Sequence, residues 1–197
     1  MASNGGAQGL FDSDGSLQDW IELYNAGDQA VSLAGWSLTD DPDDPRKWVF
    51  PARLLEPGAY LLVFASGKDR RPEGPTGELH TSFQLSRYGE YLGLFGPDSW
   101  EEPVFAFAPQ FPEQRTDLSY GWDSGTQRWG YFSQPTPGAL NGSSEIIGIL
   151  ERVHFSVNHG FFDRPFLLHL SSPDPGSEIR YTLDGSEPTR LGGAVYT

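Results

Sequence analysis

The chain has 197 residues and a formal net charge of −14, with 27 acidic against 13 basic side chains and no cysteine. A negative field of this size repels phosphate backbones and excludes non-specific nucleic-acid binding at physiological salt. The lack of cysteine excludes disulfides, thiolate zinc sites and a cysteine nucleophile. Glycine and proline are abundant and aromatic residues make up 14% of the chain, a composition typical of short strands joined by tight turns.

The first two thirds of the chain contain short segments of alternating or wholly apolar side chains, separated by turn residues as in a β-sandwich. We predict strands over residues 20–24, 31–33, 36–39, 48–50, 60–64, 80–83, 90–95, 104–107, 119–122 and 129–132. Segment 60–64 is apolar throughout, which predicts a strand buried on both faces. No window has the helical spacing of apolar residues. The fold class predicted is therefore all-β.

A turn-rich stretch at 135–144 ends this first pattern, because its prolines and glycines cannot continue a strand ladder. A second set of alternating segments follows at 153–157, 166–170 and 179–183. Three strands make a poor independent core. We therefore expect a first domain over 1–142, a linker over 143–152 and a partial second module over 153–197.

Several collinear motifs carry a family resemblance. DWIELYN at 19–25, LAGWSLTDD at 33–41, KWVFP at 47–51, LEPGAYLLVFASGK at 55–68 and PTPGALN at 135–141 resemble the lamin-tail domain of bacterial secreted proteins. The resemblance implies an immunoglobulin-like β-sandwich with a non-catalytic role. In that family residues such as 1–4 lie inside the first strand, so we expect this chain to begin within a strand.

The second pattern carries a resemblance of its own. PGSEIRYTLDGSEPT at 175–189 resembles the chitobiase/β-hexosaminidase carboxy-terminal module, a fibronectin-like sandwich that accompanies secreted enzymes. Lamin-tail domains joined to it are similar to segments of long bacterial surface proteins that often carry a CotH-type kinase domain. The resemblance implies an extracellular or cell-surface location. The chain itself has no signal-peptide pattern and no apolar run of the ~20 residues that a membrane helix needs.

Two acidic loops are candidate calcium sites, because hard cations prefer several carboxylate oxygens. Asp12 and Asp14 alternate as at the start of a calcium loop, but no glutamate follows twelve positions along. Asp40 and Asp41 begin a second acidic loop, with Arg46 and Lys47 close behind to compensate the charge. The alternatives are an Asx/Gly-stabilised turn before a strand for the first loop and a solvated, proline-stiffened hairpin loop for the second. No other cofactor is indicated.

Each sequence motif that could indicate a catalytic site is incomplete. The four histidines form no helical pair or compact cluster for zinc. In the sequence WDSG the tryptophan Trp122 stands where a protease nucleophile loop has glycine. Gly67 and Lys68 lack the other residues of a phosphate loop. We predict that the chain is not an enzyme.

The six tryptophans are expected mainly to fill the core. Trp36 and Trp48 lie within the motifs of the lamin-tail resemblance and are predicted to be core residues. Trp100 lies in an acidic turn and is predicted to be exposed, which makes it a candidate ligand-binding residue for carbohydrate.

These observations favour a structural or protein-interaction module of a larger secreted or cell-surface bacterial protein, with other protein domains or surface components as partners. The alternative is an accessory module that binds carbohydrate or calcium. Support of an enzyme domain elsewhere in the same protein is a third hypothesis, which rests on analogy alone.

Overall fold

The structure, a computed structural model, describes residues 1–5, 9–98, 100–142, 153–174, 176–189 and 191–197. The predicted linker at 143–152 lies outside these residues. The chain divides into two compact units, Met1–Ile147 and Gly148–Thr197. All regular secondary structure in the described residues is β, which confirms the predicted fold class. No helix in these residues has the length and apolar character needed to cross a membrane.

The described part of the first unit forms eleven strands, and each predicted segment overlaps one of them. They are β1 (Trp20–Tyr24), β2 (Val31–Ser32), β3 (Ser37–Thr39), β4 (Trp48–Val49), β5 (Leu54–Leu55), β6 (Tyr60–Phe64), β7 (Leu79–His80), β8 (Leu92–Phe95), β9 (Phe105–Phe107), β10 (Ser119–Asp123) and β11 (Arg128–Phe132). Sequence reasoning missed β5, since two leucines beside a proline turn carry no alternation to detect.

Two sheets enclose the core of this unit. One has the strand order β1-β6-β7 and the other the order β4-β3-β8-β9. Apolar side chains from both sheets and their loops form a single buried cluster, so the unit is a β-sandwich stabilised mainly by removal of apolar surface from water. The cluster consists of Ile21, Leu33, Leu38, Trp48, Phe50, Leu55, Val63, Ala65, Leu79 and Phe83.

Strand β6 lies in the middle of its sheet for only part of its length. It pairs with β1 over all five residues, but β7 pairs in parallel only with Val63 and Phe64. Those two side chains are buried, whereas Tyr60, Leu61 and Leu62 are half-buried. The prediction of burial on both faces is therefore correct only at Val63 and Phe64, where β7 pairs with β6.

The first residues of the chain join β1 to the start of the β10–β11 hairpin. The Met1 amine donates to the Trp20 carbonyl at 2.7 Å, and the Trp20 N–H donates back to the Met1 carbonyl at 3.0 Å. The Asp117 N–H donates to the Ser3 carbonyl at 3.0 Å. The hairpin itself pairs from Ser119↔Phe132 to Asp123↔Arg128.

The second unit has much less regular structure in its described residues. Its strands are β12 (His154–Phe155), β13 (Leu170–Ser171), β14 (Arg180–Tyr181) and β15 (Ala194–Val195), and they pair only as β12–β13 and β14–β15. None of its described side chains is buried. The predicted strand at 166–170 keeps only its last residue in a ladder. Two-residue ladders on their own bury little apolar surface.

We expect Trp48→Ala to destabilise the first unit by about 3–5 kcal/mol, because it removes a fully buried indole that packs edge-on against Phe50 at 4.7 Å. Urea unfolding followed by circular dichroism measures the change. Trp100→Ala is the matched control; Trp100 is exposed, so the loss there is at most about 1 kcal/mol. Equal losses would contradict the placement of Trp48 in the core.

Candidate functional site

The Asp12 loop is tied to the segment that precedes β7 by a network of ion pairs. The Lys68 ammonium contacts Oδ2 of Asp12 and lies 2.7 Å from Oδ2 of Asp14. The Arg70 guanidinium binds both oxygens of Asp14, at 3.1 and 2.6 Å. The Asp12 side chain is fully buried, so its pairing with Lys68 compensates a charge that water does not reach.

Asp12 also closes its own turn. Its Oδ1 accepts hydrogen bonds from the N–H groups of Asp14 (3.0 Å) and Ser16 (2.9 Å). Burial raises the pKa of Asp12, but the bonds from Lys68 and Ser16 outweigh it and hold the pKa below its ordinary value. The bonds from Arg70 and Lys68 hold the pKa of Asp14 far below its usual range. The turn that sequence reasoning gave as the alternative is thus present.

The second pair of predicted calcium ligands has different partners. Lys47 lies 2.6 Å from Asp40 Oδ1, as the sequence suggested, and the Asp41 Oδ1 accepts the N–H of Asp43 at 2.9 Å. Within the residues that the structure describes, no group of three or more His, Asp or Glu side chains is placed to hold a metal ion. A calcium ion at Asp12 and Asp14 would have to displace Lys68, and the calcium assignment of all four aspartates stays a prediction.

Trp100 is exposed, as predicted, but one face of its ring is occupied. The Arg46 guanidinium lies 4.2 Å from the ring centroid and also donates to the Gly35 carbonyl at 2.8 Å. The indole N–H of Trp100 donates to the Pro97 carbonyl at 3.3 Å. The side chain is therefore held by a cation–π contact on one side, and its role in ligand binding stays a prediction.

An exposed aromatic face lies on the β10–β11 hairpin and the neighbouring β9. We define the aromatic face as Phe105, Trp122 and Trp129, which are 40%, 46% and 40% exposed. The Trp129 ring centroid lies 5.4 Å from that of Phe105 and 5.8 Å from that of Trp122. Tyr120 and Phe107 support the same indole at 5.9 and 4.9 Å. Three large, partly exposed rings are thus clustered at the surface.

The expectation that tryptophans fill the core is wrong for Trp122 and Trp129. They face each other across the hairpin, and the Tyr120↔Tyr131 pair lies on the same side of it. In the described residues β10 and β11 pair only with each other. The face of the hairpin that carries Trp122 and Trp129 is only partly covered. The sequence carried a signal for it, because SYGWD and RWGYF place aromatic residues at a period of two with glycine between them.

An apolar cleft adjoins the aromatic face. We call it the β1–β10 cleft, because both Trp20–Tyr24 and residues 119–122 line it. Its lining also includes Leu92, Leu94, Met1 and Ala2. Its volume is about 680 Å³, within the range of sites that bind ligands. Sequence reasoning missed this cleft, since no motif marks the distance between two strands.

One group of side chains resembles a catalytic triad. The His80 Nδ1 lies 2.9 Å from Ser66 Oγ, and its Nε2 lies 3.6 Å from Glu78 Oε2. His80 is fully buried and stacks on Phe64 at 5.2 Å, while Ser66 Oγ also accepts the Lys68 N–H at 3.2 Å. A nucleophile must reach a substrate, and both Ser66 and His80 are buried. The group therefore joins β7 to its neighbouring loop rather than forming an active site.

The chain matches two family models. Residues 5–100 match the model described as Lamin Tail Domain, and residues 168–197 match the model described as Fn3 associated. No curated protein and no solved structure matches the chain. Residues 5–100 are therefore similar to lamin-tail domains, which are immunoglobulin-like, and residues 168–197 to fibronectin-associated regions, both of kinds that are typically non-catalytic. The finer resemblance to the chitobiase module and to CotH-associated proteins stays a prediction.

We expect Lys68→Met to destabilise the first unit by about 1–3 kcal/mol at pH 7, because it leaves the buried Asp12 carboxylate without its cation. The lowered pKa of Asp12 gives stability that is present above pH 3.8 and lost as the pH falls through the folded pKa. The difference between variant and parent should therefore shrink in acid. Urea unfolding at pH 7 and pH 3 tests this.

Arg71→Met is the matched control for Lys68→Met. Its ion pair with Asp69 is exposed on both sides, so the loss is at most about 1 kcal/mol. An equal loss in the two variants, or a Lys68→Met loss that does not change with pH, would contradict the stabilising role of the buried pair.

We also expect stability to fall as the pH drops below 6.5. Burial lowers the pKa of His80, and Lys68 and Arg70 lower it further. The unfolded chain therefore binds a proton near pH 6.5 that the folded chain does not, at a cost of at most about 1.4 kcal/mol per pH unit. His80→Gln should flatten the curve of unfolding free energy between pH 7.5 and 5.5. Identical curves for parent and His80→Gln would refute this assignment.

Proposed function

We propose that the first unit is a non-catalytic protein-interaction module of a larger secreted or cell-surface bacterial protein. It docks partner proteins through the aromatic face and the adjoining β1–β10 cleft. The observation that carries this proposal is the cluster of exposed rings in mutual contact at Phe105, Trp122 and Trp129. The bacterial, secreted setting is supported by the sequence resemblance alone.

Clustered exposed rings of this kind are typical of binding surfaces. Tryptophan and tyrosine carry much of the binding energy at protein interfaces, because they bury a large area with little loss of side-chain entropy. Trp129 is held by contacts with several other rings, so little further ordering is needed when a partner binds. The surface is therefore prepared for docking without rearrangement.

The lack of accessible chemistry in the described residues supports a non-catalytic role. Among them, the triad-like group at Ser66, His80 and Glu78 is the arrangement nearest to an active site, and its serine and histidine are buried. Lys68 and Arg70 are engaged in ion pairs that hold the Asp12 loop in place. The aromatic face and the cleft are left open to interact with other molecules.

Carbohydrate binding is the second candidate function. Trp122 and Trp129 each have a partly exposed ring against which a pyranose could pack, and Trp100 offers a further exposed ring elsewhere on the same unit. A sugar site also needs polar groups that fix hydroxyls. Asn141, whose amide donates to the Trp122 carbonyl at 2.9 Å, lies close enough to serve. Calcium is the weaker form of this alternative, since Lys68 and Arg70 already neutralise Asp12 and Asp14.

We expect peptides selected from a random display library on the immobilised chain to lose at least about tenfold in affinity when Trp122 and Trp129 are both changed to serine, because each indole buries apolar area in the complex. Isothermal titration with synthetic copies of the selected peptides measures the change. Trp100→Ser is the matched control and should leave peptide affinity unchanged.

A glycan array with the same variants separates the two candidate functions. Suppose that no peptide can be selected from the library and that the chain binds glycans in a way that Trp122→Ser or Trp100→Ser abolishes. This result would support carbohydrate binding and contradict the protein-docking proposal. Selected peptides that bind the doubly substituted chain as tightly as the parent would refute the aromatic face as a docking surface.

A further inference from the structure

Two asparagines of the chain are each followed by glycine, at Asn4–Gly5 and at Asn141–Gly142. Asparagine is chemically labile, and most so before glycine, whose backbone nitrogen can attack the asparagine side chain. Glycine favours this attack because it has no Cβ to obstruct the approach and adopts a wide range of backbone dihedral angles. The structure places the two pairs in different surroundings, and the difference decides which of them can react.

The Asn4 side chain is held by three hydrogen bonds. It is buried, and its amide nitrogen donates to the carbonyls of Leu10 at 2.7 Å and Gln18 at 2.6 Å. Its Oδ1 accepts the Leu10 N–H at 2.8 Å. The N–H of Gly5 is also engaged, since it donates to Asp117 Oδ1 at 3.4 Å. Attack by Gly5 would break these bonds in a buried position, so Asn4 is protected.

The Asn141 side chain is half-buried, and Gly142 after it is exposed. The amide nitrogen of Asn141 donates to the Trp122 carbonyl at 2.9 Å. Its Oδ1 accepts the Thr136 hydroxyl at 3.2 Å. The Gly142 N–H donates to none of the residues that the structure describes. The attacking nitrogen is therefore accessible, and the amide that it attacks has one hydroxyl donor on its oxygen.

The Thr136 hydroxyl lies at the atom on which negative charge develops. When the Gly142 nitrogen bonds to Cγ of Asn141, Oδ1 becomes an oxyanion, and a donor already in place stabilises it. The bond from Cγ to the amide nitrogen then breaks, and ammonia leaves with the proton that the Gly142 nitrogen has lost. Water opens the resulting succinimide ring at either carbonyl, which gives aspartate or isoaspartate at position 141.

The product cannot keep the bond to β10. An ionised carboxylate has no donor, so it loses the hydrogen bond to the Trp122 carbonyl and repels that oxygen. The amide of Asn141 lies directly against the strand backbone, because a Cβ added at Gly121 would lie only 2.9 Å from its nitrogen. Isoaspartate also lengthens the main chain by one atom. The reaction therefore releases residue 141 from β10.

We propose that Asn141 is a deamidation site, at which attack by Gly142, assisted by the Thr136 hydroxyl, removes ammonia and breaks the hydrogen bond to β10. The modification adds one negative charge beside Trp122, a member of the aromatic face. It is a slow and irreversible switch that acts on the attachment of segment 135–141. The inference goes beyond the proposed docking function and does not depend on it.

Peptide mapping by mass spectrometry tests the reaction on the full chain, incubated at 37 °C at pH 6.5 and pH 8.5. We expect Asn141 to deamidate at least about tenfold faster than Asn4. The rate should rise with pH, because the attacking nitrogen must lose its proton. Label from an isoaspartate methyltransferase should appear on the same peptide. The chain unfolded in urea, where both pairs are accessible, is the positive control.

Thr136→Val keeps the shape of the side chain and removes the hydroxyl, so we expect several-fold slower loss at Asn141. Thr76→Val on an exposed loop is the matched control and should leave the rate unchanged. Equal rates at Asn4 and Asn141 in the folded chain, or an intact Asn141 where the unfolded chain reacts, would overturn the proposal. An unchanged rate in Thr136→Val would overturn the assistance by that hydroxyl.

Asn141→Asp produces the aspartate product directly and tests the effect on the fold. We expect it to lower the Tm of the first unit by about 2–4 °C, because a hydrogen bond is replaced by a repulsive contact. Gln29→Glu makes the same change of amide to carboxylate at an exposed side chain and should leave the Tm unchanged. Equal Tm values for Asn141→Asp and the parent would overturn the switch.

Discussion

The antiparallel register of β1 on β6 fixes most of the first unit. With Ile21 opposite Val63 and Leu23 opposite Leu61, these four apolar side chains are directed into the core, and Glu22 is directed away from it. A shift of one residue would exchange the two faces and place a carboxylate in the apolar cluster. The same register directs the backbone groups of Glu22 and Tyr24 away from β6. Core packing and the direction of these backbone groups are thus two consequences of one pairing.

Ion pairs between lysines and aspartates hold the acidic loops of the first unit in place. The chain has an excess of carboxylates, yet two buried or half-buried ones, Asp12 and Asp40, each have a lysine at bonding distance. A desolvated carboxylate is costly unless a cation or N–H groups neutralise it. The sequence shows the acidic loops but does not pair Asp12 with Lys68, because the two lie 56 residues apart along the chain. Spacing within one loop therefore suggested metal-binding carboxylates but not the lysine ammonium group that the fold places beside them.

Features that depend on neighbouring residues could be predicted from the sequence, whereas features that depend on residues far apart in the chain could not. Alternation and turn residues located most strands, and motif context placed Trp48 in the core, because these depend on neighbouring residues. The exposure of Trp122 and Trp129 could not be predicted in this way. Alternation shows which side chains share a face of the hairpin, but whether another sheet covers that face depends on residues far away in the chain. The cleft escaped prediction for the same reason, since it is a distance between two strands from opposite ends of the unit.

The position of the aromatic face beside the cleft follows from the same topology. In the described residues, β1 and β10 each pair with a single strand, and residues of both line one apolar space together with Phe105 and Trp129. An open strand edge invites non-specific association, but here the Glu22 carboxylate accepts the Gly138 N–H and the Trp122 carbonyl accepts the Asn141 amide. These bonds engage polar groups that border the space. A partner that enters it is therefore left mainly with apolar contacts to make.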